Sequence, residues 1–142
     1  MAATFKISVH EANIDGLTSW NSEFGRKFLL VSKEAAVAAR THVPQEYSQT
    51  GVLRASIGVA DKGRNKQGLW TKIGSKRSYA LFIDQGTMPH IIRPKKPGGR
   101  LVFYWRWVGH VVSMKSVHHP GTRPYHYLER GVNEAFHAWL GH

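Results

Sequence analysis

Apolar residues recur at spacings of three and four through Leu17, Trp20, Phe24, Phe28, Val31, Ala35 and Ala38, the period of one helix face. Asp15 supplies an N-cap and Pro44 stops continuation, so a long amphipathic helix is expected over 15–43. Its other face carries Asn21, Arg26, Lys27, Lys33 and Arg40. The aromatic first half suits packing on a sheet. The alanine-rich second half either lets another backbone approach closely or faces a neighbouring subunit. Upstream, within 1–14, Phe5, Ile7 and Val9 alternate with Lys6, Ser8 and His10, the pattern of a short strand or an ordered arm.

Beyond the loop 44–51 the period changes. Leu53, Ala55, Ile57 and Val59 alternate with Arg54, Ser56, Gly58 and Ala60, which predicts a strand with one buried face. Asp61 to Gly68 reads as a charged, glycine-bounded connection, and Leu69, Thr71 and Ile73 resume the alternation, so a β-hairpin with a long basic tip is expected. Tyr79, Phe82 and Ile83 suit a short helical turn ended by Gly86. Ile91 and Ile92 lead into a Pro-Lys-Lys-Pro-Gly-Gly turn. A strand from Leu101 to Val108 follows, with Leu101, Phe103, Trp105 and Trp107 on one face and Val102, Tyr104 and Arg106 on the other. Gly109 allows a reversal into a further strand over Val111 to Val117, and a final helix over 124–140 carries Leu128, Val132, Ala135, Phe136, Trp139 and Leu140 in one stripe. Strands cluster between the two helices, over 51–118. The expected class is α+β, with the N- and C-terminal helices packed on a central antiparallel or mixed sheet in a single domain spanning 1–142.

Charge adds a location to this picture. The chain has 20 Lys and Arg against 9 Asp and Glu, and 12 of the basic residues but only 2 acids, Asp61 and Asp84, lie between Arg54 and Arg106. A field concentrated in that way points to a polyanionic neighbour, either nucleic acid or an acidic protein surface. The basic positions that would meet it are Lys62, Arg64, Lys66, Lys72, Lys76 and Arg77 in the hairpin region, and Arg93, Lys95, Lys96 and Arg100 around the proline-glycine turn. There is no cysteine, hence neither a disulfide framework nor a thiolate metal site. No stretch approaches the roughly 18 apolar residues of a membrane span, and the first residues lack a signal-peptide pattern, so a soluble protein with no membrane partner is expected.

Catalytic chemistry finds little support. His118, His119 and His126 are the closest histidine grouping, but neighbours on a strand point to opposite faces, and no carboxylate lies between Asp84 and Glu129 to complete a zinc site. Glu11, Asp15, Glu23, Glu34 and Glu46 lie in or beside the first helix, where solvated or capping roles account for them. There is no G-x-S-x-G elbow. Pro97-Gly98-Gly99-Arg100 has amides that can cradle a phosphate, but it lacks Walker spacing and a following helix; a tight connection between strands is the simpler account. Phe103-Tyr104-Trp105-Arg106-Trp107 interleaves aromatic and basic side chains as a base-stacking platform would, although a strand face covered by the two helices explains the same residues. Neither an enzyme nor a bound cofactor or metal is expected.

Four short motifs nonetheless occur in order. They are Thr50-Gly51-Val52-Leu53-Arg54-Ala55-Ser56-Ile57; Tyr79-Ala80 with Asp84 and Gly86-Thr87; Ile92-Arg93-Pro94-Lys95 before Leu101-Val102-Phe103; and His119-Pro120-Gly121-Thr122 before the last helix. Over roughly residues 18–137 this order and spacing resembles the tail-completion, or head-to-tail joining, family of long-tailed bacteriophages. Two positions depart from the family pattern: Glu129-Arg130-Gly131 stands where a proline is frequent inside the last helix, and Asp84 replaces the commoner glutamate.

The resemblance implies a small, non-enzymatic α+β virion subunit, made in the host cytoplasm, whose functional residues are contact surfaces. It implies a homo-oligomeric ring in the neck, commonly a hexamer. The neighbours would be head-closure or connector proteins on one side and tail-terminator or tail-tube proteins on the other. Genomic DNA would pass through without sequence specificity, and the basic loops 61–68 and 93–100 would be parts that order on assembly. A small basic nucleic-acid-binding module is the alternative that charge alone supports.

Overall fold

The computed structural model describes residues 3–8 and 19–141. Asp15, Leu17 and the positions from Val9 onward that were expected to extend the first strand lie outside them. The described chain is α+β with helices near both ends, and it divides into two compact units.

The first unit, residues 1–86 and 124–142, contains every buried side chain of the described residues. Its first helix, α1 (Glu23–His42), begins later than the periodicity suggests. Ser22 is the N-cap: its Oγ accepts from the Gly25 amide at 2.9 Å and donates to the Ser19 carbonyl at 2.6 Å, so Trp20 sits in a turn ahead of the helix. Phe28, Val31, Ala35, Ala36 and Ala39 face inward, placing Ala39, not Ala38, at the end of the buried stripe. The last helix, α4 (Tyr127–Leu140), lays Leu128, Gly131, Val132 and Ala135 against the protein interior. Gly131 is what lets the helices meet, because a Cβ there would run into the backbone and Cβ of Ala39. The alanine-rich half of α1 therefore does approach another backbone, within the same chain. Phe24, Phe28, Phe136 and Trp139 continue the seam as an aromatic cluster with ring centroids 5.8–6.2 Å apart. Leu140, expected in this stripe, is 70% exposed.

Under the helices lies an antiparallel sheet in the order β1 (Ala3–Ser8), β3 (Gly68–Ser75), β2 (Gly58–Asn65). Central β3 buries Leu69, Thr71, Ile73 and Ser75 on one face, and Thr71 Oγ1 meets Ser32 Oγ of α1 at 2.9 Å. Two expectations change in this region. Residues 52–56 form a helix, α2 (Val52–Ser56), instead of opening a strand: Leu53 and the C-cap residue Ile57 are buried one helical turn apart, while the intervening Ala55 is exposed. The segment 61–68 is mostly strand, not a long basic loop. The turn is confined to Lys66 and Gln67, held by Asn65 Oδ1, which accepts from the amides of Gln67 and Gly68 at 2.9 and 3.1 Å. The polar sequence resembles that of a loop because β2 is an edge strand, where charge is the usual protection.

A short helix, α3 (Ala80–Gln85), ends at Gly86 with φ +73°, in agreement with the spacing of its apolar residues. The chain returns at Pro124. It does not enter α4 there, because Tyr125 and His126 donate their amides to the carbonyls of Ile83 and Asp84 at 3.3 and 2.9 Å, and only then does the helix begin.

The second unit, residues 87–123, is all extended structure and turns. Here β4 (His90–Ile92) pairs with β7 (Val117–His119), and β5 (Leu101–Trp105) pairs with β6 (His110–Met114), each antiparallel. The strands of the described chain thus form three sheets, not one central sheet. The strand expected over 101–108 stops at Trp105, whose carbonyl accepts from Val108 and Gly109 in a closing turn. The strand expected over 111–117 is two strands, because the chain changes partner at Lys115 and Ser116.

Candidate functional site

The two Gly-Thr steps of the motifs turn out to be paired. Thr87 and Thr122 form an antiparallel bridge with amide-to-carbonyl distances of 3.0 and 3.1 Å, and their hydroxyl oxygens lie 3.1 Å apart. Gly121, at φ +84°, lies so close to the carbonyl of Thr87 that no side chain would fit. The bridge clamps the two strands by which the chain enters and leaves the second unit.

The other motif residues are scaffold. Gly51 takes φ +72° at the start of α2, beside Thr50, and Leu53 is buried. Arg54 Nη2 donates to the Val43 carbonyl at 2.8 Å, tying α2 to the end of α1. Ala80 is fully buried, and its carbonyl accepts from the Tyr127 hydroxyl at 3.1 Å; Tyr79 is 41% exposed. Asp84 performs the capping that α4 lacks at its own N-cap. Its Oδ1 accepts from the Leu128 amide at 3.1 Å, across 44 residues of sequence. Burial pushes the Asp84 carboxyl above its ordinary range, against the opposing pull of the Leu128 amide and the nearby His126. Burial likewise raises the Tyr127 hydroxyl, with the Asp84 charge adding to it. His119 Nδ1 accepts from the Gly121 amide at 3.0 Å, which shapes the turn through Pro120.

The basic residues do not form one site. In the first unit, Lys62 lies over the ring of Trp20 at 4.9 Å and Lys72 over that of Trp70 at 5.5 Å, so both ammonium groups rest on indole faces. Arg64 and Lys66 are exposed at the end of the hairpin. Lys76 and Arg77 border a cleft of about 480 Å³ beside Ser56, Gly58 and Gly74.

In the second unit, Arg93, Lys96 and Arg100 line a cleft of about 440 Å³ together with Lys115, which the motif pattern did not single out. Lys95 is exposed on the same turn. A strand running from Val111 to Val117 would place Lys115 in its interior; the break between β6 and β7 instead puts it beside the turn.

Composition separates this unit from the rest of the chain. Residues 87–123 hold 7 Lys and Arg and no acid. No residue among them is buried, while Met88, Val102, Tyr104, Trp107 and Val111 are 60–93% exposed. A seam of Ile92, Leu101, Phe103 and Val117 surrounds a gap of about 230 Å³. The face of Phe103 and Trp105 is half-buried and that of Val102 and Tyr104 exposed, as the alternation predicts, but the sheet that α1 packs on is β1-β3-β2.

The histidines divide as strand geometry requires. His119 stacks obliquely on His90 of the paired strand, with ring centroids 5.0 Å apart, while His118 lies opposite Ile91. Among the described residues no three metal-ligating side chains converge, and no helix is long and apolar enough to cross a membrane. No protein-family model, curated protein or solved structure matches this chain.

Proposed function

We propose that the chain is a structural subunit of a bacteriophage neck, a ring-forming tail-completion protein at the joint between the DNA-filled head and the tail. The observation that carries the proposal is the second unit: 37 residues with no buried side chain, presenting exposed aromatic and aliphatic groups on two-stranded sheets. Isolated two-stranded hairpins are marginal in water, and contiguous exposed apolar groups mark surfaces that a partner covers. A unit of this kind, closed at its base by the Thr87–Thr122 bridge, suits a subunit completed by its neighbours. The four ordered motifs supply the choice of assembly, and their residues cap, pair and pack backbone within each unit instead of surrounding a reactive group. The functional residues of the proposal are accordingly contact surfaces, and DNA passes them without sequence reading.

The test is electron microscopy of particles made when the phage carrying this gene lacks it. Filled heads beside separate tails are expected; intact infectious virions would overturn the assignment. Complementation with Tyr104→Ser/Trp107→Ser protein sharpens the result, because the proposal expects folded protein that fails to join heads to tails.

A small nucleic-acid-binding module is the second reading, favoured by the acid-free charge of residues 87–123. It expects normal virions from the deletion and tight, salt-sensitive DNA binding by the isolated protein.

A further inference from the structure

The loop between β4 and β5 carries a feature that assembly alone does not require. Arg93, Lys96, Arg100 and Lys115 all line one cleft of about 440 Å³, and none of the four has an ion-pair partner among the described residues. The unit that holds them contains no acid to neutralise them. Four cations gathered without a counter-charge repel one another, a cost that an anion in the cleft relieves.

The cleft is also held in shape. Pro94 and Pro97 restrict the backbone on either side of Lys95 and Lys96, and the Gly99 amide donates to the Lys96 carbonyl at 3.0 Å. Gly98 turns the chain at φ +73°. Arg100 is fixed by Ser113: its Nε donates to the hydroxyl and its Nη2 to the carbonyl, both at 2.7 Å. Those bonds use part of the guanidinium fork and leave the remaining N–H donors for a ligand. A guanidinium oriented beforehand loses less freedom when it binds an oxyanion.

We infer that this cleft is a phosphate-binding site, formed by Arg93, Lys96, Arg100 and Lys115 and oriented through Ser113. Guanidinium and ammonium groups around a proline-glycine turn match phosphate oxygens, which are the same at every step of a nucleic-acid backbone, so recognition through them is independent of sequence. The inference rests on the neck reading only for the source of the phosphate, which there is the backbone of passing DNA. A free di- or polyphosphate has the same chemistry.

The test compares three forms of the full chain with the wild type, each first checked for an unchanged thermal midpoint. Arg93→Gln/Lys96→Gln/Lys115→Gln empties the cleft of three charges. Arg26→Gln/Lys27→Gln/Lys33→Gln removes the same charge from the exposed face of α1. Ser113→Ala leaves the charge untouched and removes the hydroxyl bond to Arg100 Nε, one of the two bonds that orient the guanidinium. Binding of a random-sequence duplex of about 20 base pairs is followed by fluorescence anisotropy across a salt series, and the cleft triple is expected to weaken it about tenfold and to flatten the salt slope by about two. The α1 triple should stay within about twofold, and Ser113→Ala should lose about threefold at unchanged net charge.

Inorganic pyrophosphate is titrated in parallel, read by amide shifts of residues 93–100 and 113–115. Shifts there, lost in the cleft triple, support the site. If pyrophosphate binds and the duplex does not, the site stands with a small phosphate as its source. Equal losses in the two triples would overturn the proposal in favour of diffuse attraction, and no binding of either probe at low salt would overturn it outright. Particle morphology in the gene deletion is a separate readout, so the site and the neck assignment can fail independently.

Discussion

Trp20 and Trp107 show how differently the two units use the same residue type. Trp20 stacks on Phe28 with ring centroids 6.0 Å apart and carries the Lys62 ammonium 4.9 Å from its ring centre, inside the unit that holds the buried core. Trp107 occupies a hairpin tip and is 93% exposed. The difference comes from layering. In the first unit two amphipathic helices cover one face of a three-stranded sheet, so an apolar stripe finds a second surface to bury against. In the second, paired strands supply a face but little to cover it, and the apolar groups stay exposed. Stability is therefore expected to reside in residues 1–86 and 124–142, and association in 87–123.

The strongest way to break this contrast is to remove the centre of the first unit. Phe28 is fully buried and meets the rings of Trp20, Phe24 and Phe136. Phe28→Ala should cost about 4 kcal/mol in denaturant unfolding, or prevent folding altogether. A loss below about 1 kcal/mol would mean that the aromatic cluster is not what holds the helices. Gly131→Val comes next. Its branched side chain must occupy the space of the Ala39 backbone, so the helices separate at a cost of about 3 kcal/mol. Thermal unfolding checks this, and an unchanged midpoint would show that the close approach at Gly131 is dispensable.

Residues whose partners are near in sequence were legible from the pattern; those with distant partners were not. The faces of α1 and α4, the α3 turn and its Gly86 stop, and the alternation of β5 follow from local period. Leu53 and Ile57 deceived because a two-residue alternation and a four-residue repeat coincide at those positions, and only their burial one helical turn apart decides for a helix. The edge strand β2 looked like a loop because its protection against association is charge. Within the candidate cleft, Arg93, Lys96 and Arg100 were visible as a basic turn. Lys115 was not, since its place depends on where one strand ends and the next begins. The capping of α4 by Asp84 spans 44 residues and leaves no local signal.

That cap gives a smaller and more specific test. Asp84→Ala removes the acceptor for the Leu128 amide at the start of α4 and should cost about 1 kcal/mol. Asp84→Asn keeps an acceptor and removes a charge that burial disfavours. Because burial makes the folded state hold the Asp84 proton more tightly than the unfolded chain does, ionisation of this group lowers stability as pH rises from its ordinary range through its raised folded value. The Asn variant should accordingly gain on the wild type across that interval and hold a constant advantage above it. Unfolding free energies at a series of pH values measure this, and an advantage that shrinks as pH rises would reverse the assigned sign.

The smallest expected effect belongs to the largest change. Thr87 and Thr122 already form an antiparallel pair joined by both amide-to-carbonyl bonds, so residues 88–121 can be replaced by an Asn-Gly turn without moving either end. If stability resides in the first unit, the shortened protein should unfold cooperatively with a midpoint within about 5 °C of the full chain, because no buried side chain has been removed. It should also lose self-association and fail to join heads to tails. A midpoint lower by about 15 °C or more would mean that the second unit contributes to the packing of its own chain, and its exposed aromatics would then have to be understood without a partner. A shortened protein that still assembled would move the contact surface to the helices, where Leu30 and Val37 are the exposed apolar residues of α1.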